Sequence, residues 1–72
     1  MQEPQNGIYE HYKGTKVEVL GLVSHSETLE PLVHYRHLED GREWVRPLPM
    51  FMETVTISDV RVPRFRYLGT HK

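Results

Sequence analysis

The sequence contains no cysteine. That excludes disulfides and any thiolate-bound zinc, two common supports of very small folds. It also lacks an apolar run near the ~20 residues that a membrane-spanning helix needs. The opening stretch MQEPQNGIYEHYKG carries acids where a secretory signal carries an apolar core. The expectation is a cytoplasmic chain with no membrane partner. Missing too are a glycine-rich phosphate loop, a GxGxxG fingerprint and a nucleophile elbow, and there is no internal repeat or low-complexity segment.

What is present is one small domain of 72 residues. A chain of that size buries only about 60% of its unfolded surface. A second copy could supply further burial, so a monomer and a homodimer are both compatible with the length. The net charge of −1 hides an asymmetry: residues 1–60 hold five Lys/Arg and ten Asp/Glu, whereas 61–72 hold Arg61, Arg64, Arg66 and Lys72 and no acid. Such a terminus either lies against an acidic body or contacts an anion such as nucleic acid.

Residues 1–7, with Pro4 and Asn6-Gly7, read as a flexible lead-in. Ile8, Tyr9 and Tyr12 bring apolar weight before the Lys13-Gly14 turn. From Lys16 the period becomes two: Val17, Val19, Gly21 and Val23 fall on one face, which predicts a strand, with a bend or bulge at Gly21. Ser26–Pro31 connects it to a second strand, Leu32–Leu38, in which Val33, Tyr35 and His37 share a face. Asp40-Gly41 is the strongest hairpin signal, and Arg42–Arg46 returns as a third strand. Pro47-Leu48-Pro49 stops it. Leu48, Met50, Phe51 and Met52 read as a helical turn plugging the core. Thr54–Ile57 predicts a fourth strand and Val60–Tyr67 a fifth, interrupted by Pro63. About five short antiparallel strands with one helical turn predict a mainly β fold, a small SH3-like barrel. An open sheet pairing with a second copy is the other arrangement this pattern allows.

The stretches His11-Tyr12-Lys13-Gly14, His25-Ser26-Glu27-Thr28, Glu30-Pro31-Leu32-Val33, Trp44-Val45-Arg46-Pro47-Leu48 and Val62-Pro63-Arg64-Phe65 together resemble the bacterial domain family of unknown function DUF1653. The resemblance covers roughly residues 8–68, leaving 69–72 as a tail. It implies a small, mostly β, bacterial, stand-alone domain and brings no catalytic residues. The sequence departs from the expected pattern at Ser58-Asp59-Val60, where a glycine-containing turn would be expected.

Histidine, serine and glutamate crowd the segment from His25 to Pro47, and strand geometry disperses them. His34 and His37, three apart in a strand, point to opposite faces and cannot share a metal ion. His25 could meet His34, with Glu27 or Glu30 added, but two imidazoles fall short of the about four ligands zinc wants. A relay of Ser24 or Ser26 with His25 and Glu27 fails because sequence neighbours in extended chain diverge. Ser26 and Thr28 bonding turn amides, with His25 tying the turn to the next strand, is the simpler reading. No catalytic residue, metal or cofactor is therefore expected.

Folding the hairpin on a two-residue Asp40-Gly41 turn pairs His37 with Trp44 and Tyr35 with Arg46. It aligns Val33, Tyr35, His37, Trp44 and Arg46 on one surface. That surface is either a binding patch or barrel core, with Arg46 bridging to Glu18, Glu27 or Glu53 in the second case. Tyr35, His37, Trp44 and Arg46, with His25 and Glu27 beside them, are the ligand-binding candidates for a protein, peptide or small anionic ligand. The resulting expectation is a non-enzymatic binding module. The alternative is RNA or single-stranded DNA binding, with Tyr35 or Trp44 stacking bases and Arg61, Arg64 and Arg66 holding phosphates.

Overall fold

A computed structural model of the chain describes residues 4–70. It contains seven strands and one helical turn: β1 (Gly7–His11), β2 (Lys16–Ser24), β3 (Pro31–His37), β4 (Glu43–Pro47), α1 (Leu48–Phe51), β5 (Thr54–Ile57), β6 (Val60–Pro63) and β7 (Phe65–Gly69). The mainly β class and the single helical turn match the expectation from sequence. The closed barrel does not. Five strands form an open antiparallel sheet in the order β4-β3-β2-β1-β7, and β5 and β6 form a separate hairpin. β4 and β7 remain the two edges, so among the described residues the sheet does not close.

The two extra strands have local causes. β1 begins within the segment read as a lead-in: Gly7 pairs with Val19 and Tyr9 with Val17, and β7 adds on its other side. Ahead of it, the Asn6 side-chain amide donates to the Leu20 carbonyl and the Tyr9 hydroxyl to the Gln5 carbonyl. The remainder of that segment, Met1 to Glu3, and the end of the tail, His71 and Lys72, lie outside the described residues. The long last strand is cut after Pro63, where the chain crosses from the small hairpin to the main sheet. There the Arg64 N–H donates to the Glu53 carbonyl and the Tyr12 N–H to the Arg64 carbonyl.

One face of the sheet carries the core. Tyr9, Val17, Val19, Val33, Tyr35 and Phe65 are buried on it, and Leu48 and Phe51 cover them from α1. The Phe51 and Phe65 rings stack at 4.2 Å, and Tyr9 meets Phe51 edge-on at 5.4 Å. Met50 and Met52, expected in this plug, are exposed. A single turn of helix can aim only the Leu48 and Phe51 side, three residues apart, at the sheet. β2 also departs from strict alternation. Its register against β3 shifts between Val19 and Gly21, so Leu20 is the extra residue of a bulge. Beyond it the faces exchange: Leu22 packs against the core and Val23 is exposed, the reverse of the period-two reading.

The opposite face neutralises charge in pairs. Glu18 bonds Arg36 across β2 and β3, Glu10 bonds Arg66 across β1 and β7 at 2.7 Å, and Glu43 meets His34 at 2.9 Å. Each such exposed pair contributes ~0–1 kcal/mol. Among the described residues no helix is long and apolar enough to cross a membrane.

Candidate functional site

The β3–β4 hairpin places the candidate residues, and its register differs by two from the expected one. Tyr35 pairs with Trp44 and Val33 with Arg46. The connection is a longer turn: the His37 N–H donates to the Arg42 carbonyl, the Gly41 N–H to the His37 carbonyl, and Asp40 Oδ1 accepts from the Arg42 N–H. One residue on, the Leu38 N–H points away from β4 and donates to the Lys16 carbonyl. A slip of two preserves the faces. Val33, Tyr35, His37, Trp44 and Arg46 therefore stay on one surface, which is the core side of the sheet.

That surface is graded. Val33 and Tyr35 are buried core. His37 and Arg46 are half-buried, and Trp44, 47% exposed, stands at the open edge with its ring 6.3 Å from that of His37. Where β1, β3, β4 and β7 converge, a cavity of about 220 Å³ opens. Val17, Tyr35 and Phe65 form its apolar walls, Thr15 offers a hydroxyl, and four basic side chains enter it: His11, Lys13, His37 and Arg46. Among the described residues no carboxylate lines it.

Two features set the electrostatics of the cavity. Arg46 reaches over the Phe65 ring, its Cζ 6.0 Å from the centroid, and its Nε is buried without a hydrogen-bond partner. No carboxylate among the described residues pairs with it: Glu18 is taken by Arg36 and Glu53 by Arg64. The structural bridge expected for Arg46 is absent. His11 is the second feature. Its pKa is pushed below the ordinary histidine value by burial, and further by the positive charge of Arg64, Arg46, Lys13 and His37. Its Nδ1 accepts the Lys13 N–H at 3.1 Å, so neutral His11 carries its proton on Nε2 and is a donor there. Its ring meets Phe65 edge-on at 5.0 Å.

The remaining candidates lie elsewhere. His25 and Glu27 belong to the β2–β3 turn at the Pro31 end of β3. The cavity is at the His37 end, roughly 20 Å away at the strand rise. His25 Nδ1 accepts the Glu27 and Thr28 N–H groups, its own N–H donates to the Glu30 carbonyl, and Thr28 Oγ1 accepts the Glu30 N–H. Those bonds build the turn. Of the basic C-terminal residues, Arg64 pairs with Glu53, Arg66 with Glu10, and Arg61 donates to the Thr54 hydroxyl. Among the described residues no three His, Asp or Glu side chains gather as metal ligands would.

Sequence reasoning missed His11, Lys13, Thr15 and Phe65. The available signal was a histidine and a lysine flanking a Lys-Gly turn, which brings two basic side chains to one strand end.

The chain matches the model of the family described as "Protein of unknown function (DUF1653)" over residues 7–67. It is similar to a protein of that family from Bordetella bronchiseptica, known from its crystal structure. Sequence identity is 36% and the TM-score 0.89, over 100% of this chain and 96% of that one. No curated protein matches it. With the family pattern running through β1 to β7 and the same fold in a crystallised member, the chain belongs to the DUF1653 family.

Proposed function

We propose that this chain is a non-enzymatic binding module. Its ligand carries a small anionic group, a carboxylate or a phosphate, that enters the cavity among Arg46, His37, His11 and Lys13. The observation that carries the reading is Arg46, its Nε buried and unpartnered, on the wall of a cavity that no carboxylate of the described residues lines. An unsatisfied buried donor costs ~1–3 kcal/mol, and a guanidinium fork is the side chain best shaped to hold a planar carboxylate or a phosphate. Thr15 and the Nε2–H of His11 add neutral donors, and Lys13 adds a mobile charge at the mouth. Tyr35 supplies wall, and Trp44 stands at the open edge, near enough to His37 to meet whatever the anion is attached to.

The test is a titration of purified protein with inorganic phosphate and with acetate at low ionic strength, followed by the ring resonances of His11 and His37. Saturable shifts of both rings are expected, together with a rise in the His11 pKa as the anion offsets the surrounding positive charge. Arg46→Lys keeps the charge and loses the fork, and is expected to weaken phosphate at least about tenfold, the equivalent of one charge-assisted hydrogen bond. Rings that do not respond to either anion, or an Arg46→Lys variant binding as well as the parent, would rule the proposal out.

A further inference from the structure

We infer that the anion is the head of an amphipathic small molecule whose apolar body lies in a second cavity, on the other side of the β1–β2 turn. This rests on the anion-binding reading above. The second cavity is the larger, about 560 Å³, and lies between that turn and the β5–β6 hairpin. It shares His11 and Lys13 with the basic cavity, so the two meet at those side chains. Their characters differ. The small one holds basic groups. The large one is walled by Tyr12, Ile57, Val62 and Pro63, and its charged rim, Glu10 with Arg66, is already paired.

Size assigns the roles. A cavity of about 220 Å³ falls below the ~300–1,000 Å³ that encloses an organic ligand, and suits one carboxylate or phosphate. The cavity of about 560 Å³ lies inside that range and suits an alkyl or aryl body. Charge gives the direction. The Tyr12 ring has Lys13 Nζ 5.8 Å from its centroid, so a positive charge stands at the junction of the two cavities and disfavours a cationic body. An anion with a neutral carbon chain matches both halves.

The test compares inorganic phosphate, butyl phosphate and hexyl phosphate by calorimetry, with acetate and hexanoate as the carboxylate arm. Each buried methylene is worth about fourfold in affinity, so hexyl phosphate, two methylenes longer, is expected to bind about fifteenfold more tightly than butyl phosphate. Ile57 is 44% exposed on the hairpin. The Ile57→Asp variant is therefore expected to keep the parent's melting temperature and phosphate affinity while losing the dependence on chain length. In the parent protein the methyl resonances of Ile57 and Val62 should move with hexyl phosphate and stay put with inorganic phosphate. Equal affinity for inorganic and hexyl phosphate, or chain-length dependence that survives Ile57→Asp, overturns this inference and leaves the anion site standing. Failure of every anion to bind removes both. If only the carboxylate arm shows the dependence, the head is a carboxylate.

Discussion

Replacing Arg46 with methionine separates a ligand-binding arginine from a structural one, because the two roles predict opposite signs. Methionine keeps an unbranched stem against Phe65 and removes the charge and the buried Nε. Removing an unsatisfied buried donor returns ~1–3 kcal/mol. The guanidinium sits 6.0 Å from the Phe65 centroid, and losing a contact of that kind at a half-exposed site costs ~0.5–1 kcal/mol. Relief of the repulsion between Arg46 and Lys13 adds to the gain. The balance is a stabilisation of about 1 kcal/mol, or ~4–8 °C in Tm for a domain of this length. The assay is a pair of melts, one in buffer free of phosphate and carboxylate and one with phosphate in excess. Without anion, Arg46→Met should melt above the parent. With anion at a hundred times its Kd, the parent gains ~2.7 kcal/mol, the variant gains nothing, and the order reverses. An Arg46→Met protein that melts below the parent in the anion-free buffer would refute the reasoning, because Arg46 would then hold the fold together.

Supplying the missing carboxylate should give the complementary result: Thr15→Glu places an acid in the cavity, and is expected to raise stability by ~1–3 kcal/mol through a charge-assisted bond to Arg46 while abolishing phosphate binding by calorimetry. The β5–β6 turn is closed by Ser58 and Asp59, both at positive φ (49° and 65°). The double change Ser58→Asn, Asp59→Gly suits that backbone and should raise stability by about 1 kcal/mol in urea denaturation. Gly7 has φ 142°, and a Cβ there would sit 2.7 Å from the Gly69 carbonyl oxygen. Gly7→Ala should therefore destabilise by more than ~1 kcal/mol and raise amide exchange along the β1–β7 seam. The depressed His11 pKa means the folded protein binds fewer protons at this site than the unfolded chain does. Its contribution to stability is complete above the ordinary value of 6.5 and is lost as pH falls through the lower folded value. Melts across that interval should show the loss, phosphate should reduce it, and His11→Gln should flatten it.

The elements legible in the sequence were those whose two faces differ sharply. Val17 and Val19 announce β2, and Val33 and Tyr35 announce β3, through alternation alone. Gly21 announced a bulge. Its consequence, that Leu22 turns inward and Val23 outward, depends on which residue is squeezed out of register, and that is set by β3. The hairpin register failed for a similar reason. Asp40-Gly41 fits a tight turn or a longer one, and the dipeptide alone does not choose between them; in the fold the longer turn forms, closed by the His37 N–H on the Arg42 carbonyl and the Gly41 N–H on the His37 carbonyl. β1 went unread because Gly7–His11 is too short to show a period. The closed barrel was overread from strand count; closure depends on whether the edges β4 and β7 meet, and no local pattern encodes that. The cavity was the least legible feature, since His11 and Lys13 are separated from His37 and Arg46 by the whole of β2 and β3.

The distribution of acids then explains why the cavity keeps its charge. Carboxylates are not scarce: ten Asp/Glu accompany nine Lys/Arg. Strand alternation sends them away. In β1, Glu10 turns to the face where Arg66 waits, and its neighbour His11 turns to the cavity. In β3, His34 and Arg36 find Glu43 and Glu18 on the outer face, and His37 turns inward. In β4, Glu43 faces outward and Arg46 inward. β1 and β4 thus make the same division, an acid toward its partner on one face and a base toward the aromatic core on the other, and β3 sends its His34 and Arg36 to the acids of the outer face and His37 inward. Simple compensation of charge would have placed one of those acids beside Arg46, whose neighbours in the cavity are aromatic, aliphatic, basic or, at Thr15, a neutral hydroxyl. A carboxylate or phosphate from outside the chain would supply what the fold leaves out, and the division of charge across the sheet is what leaves Arg46 without a partner.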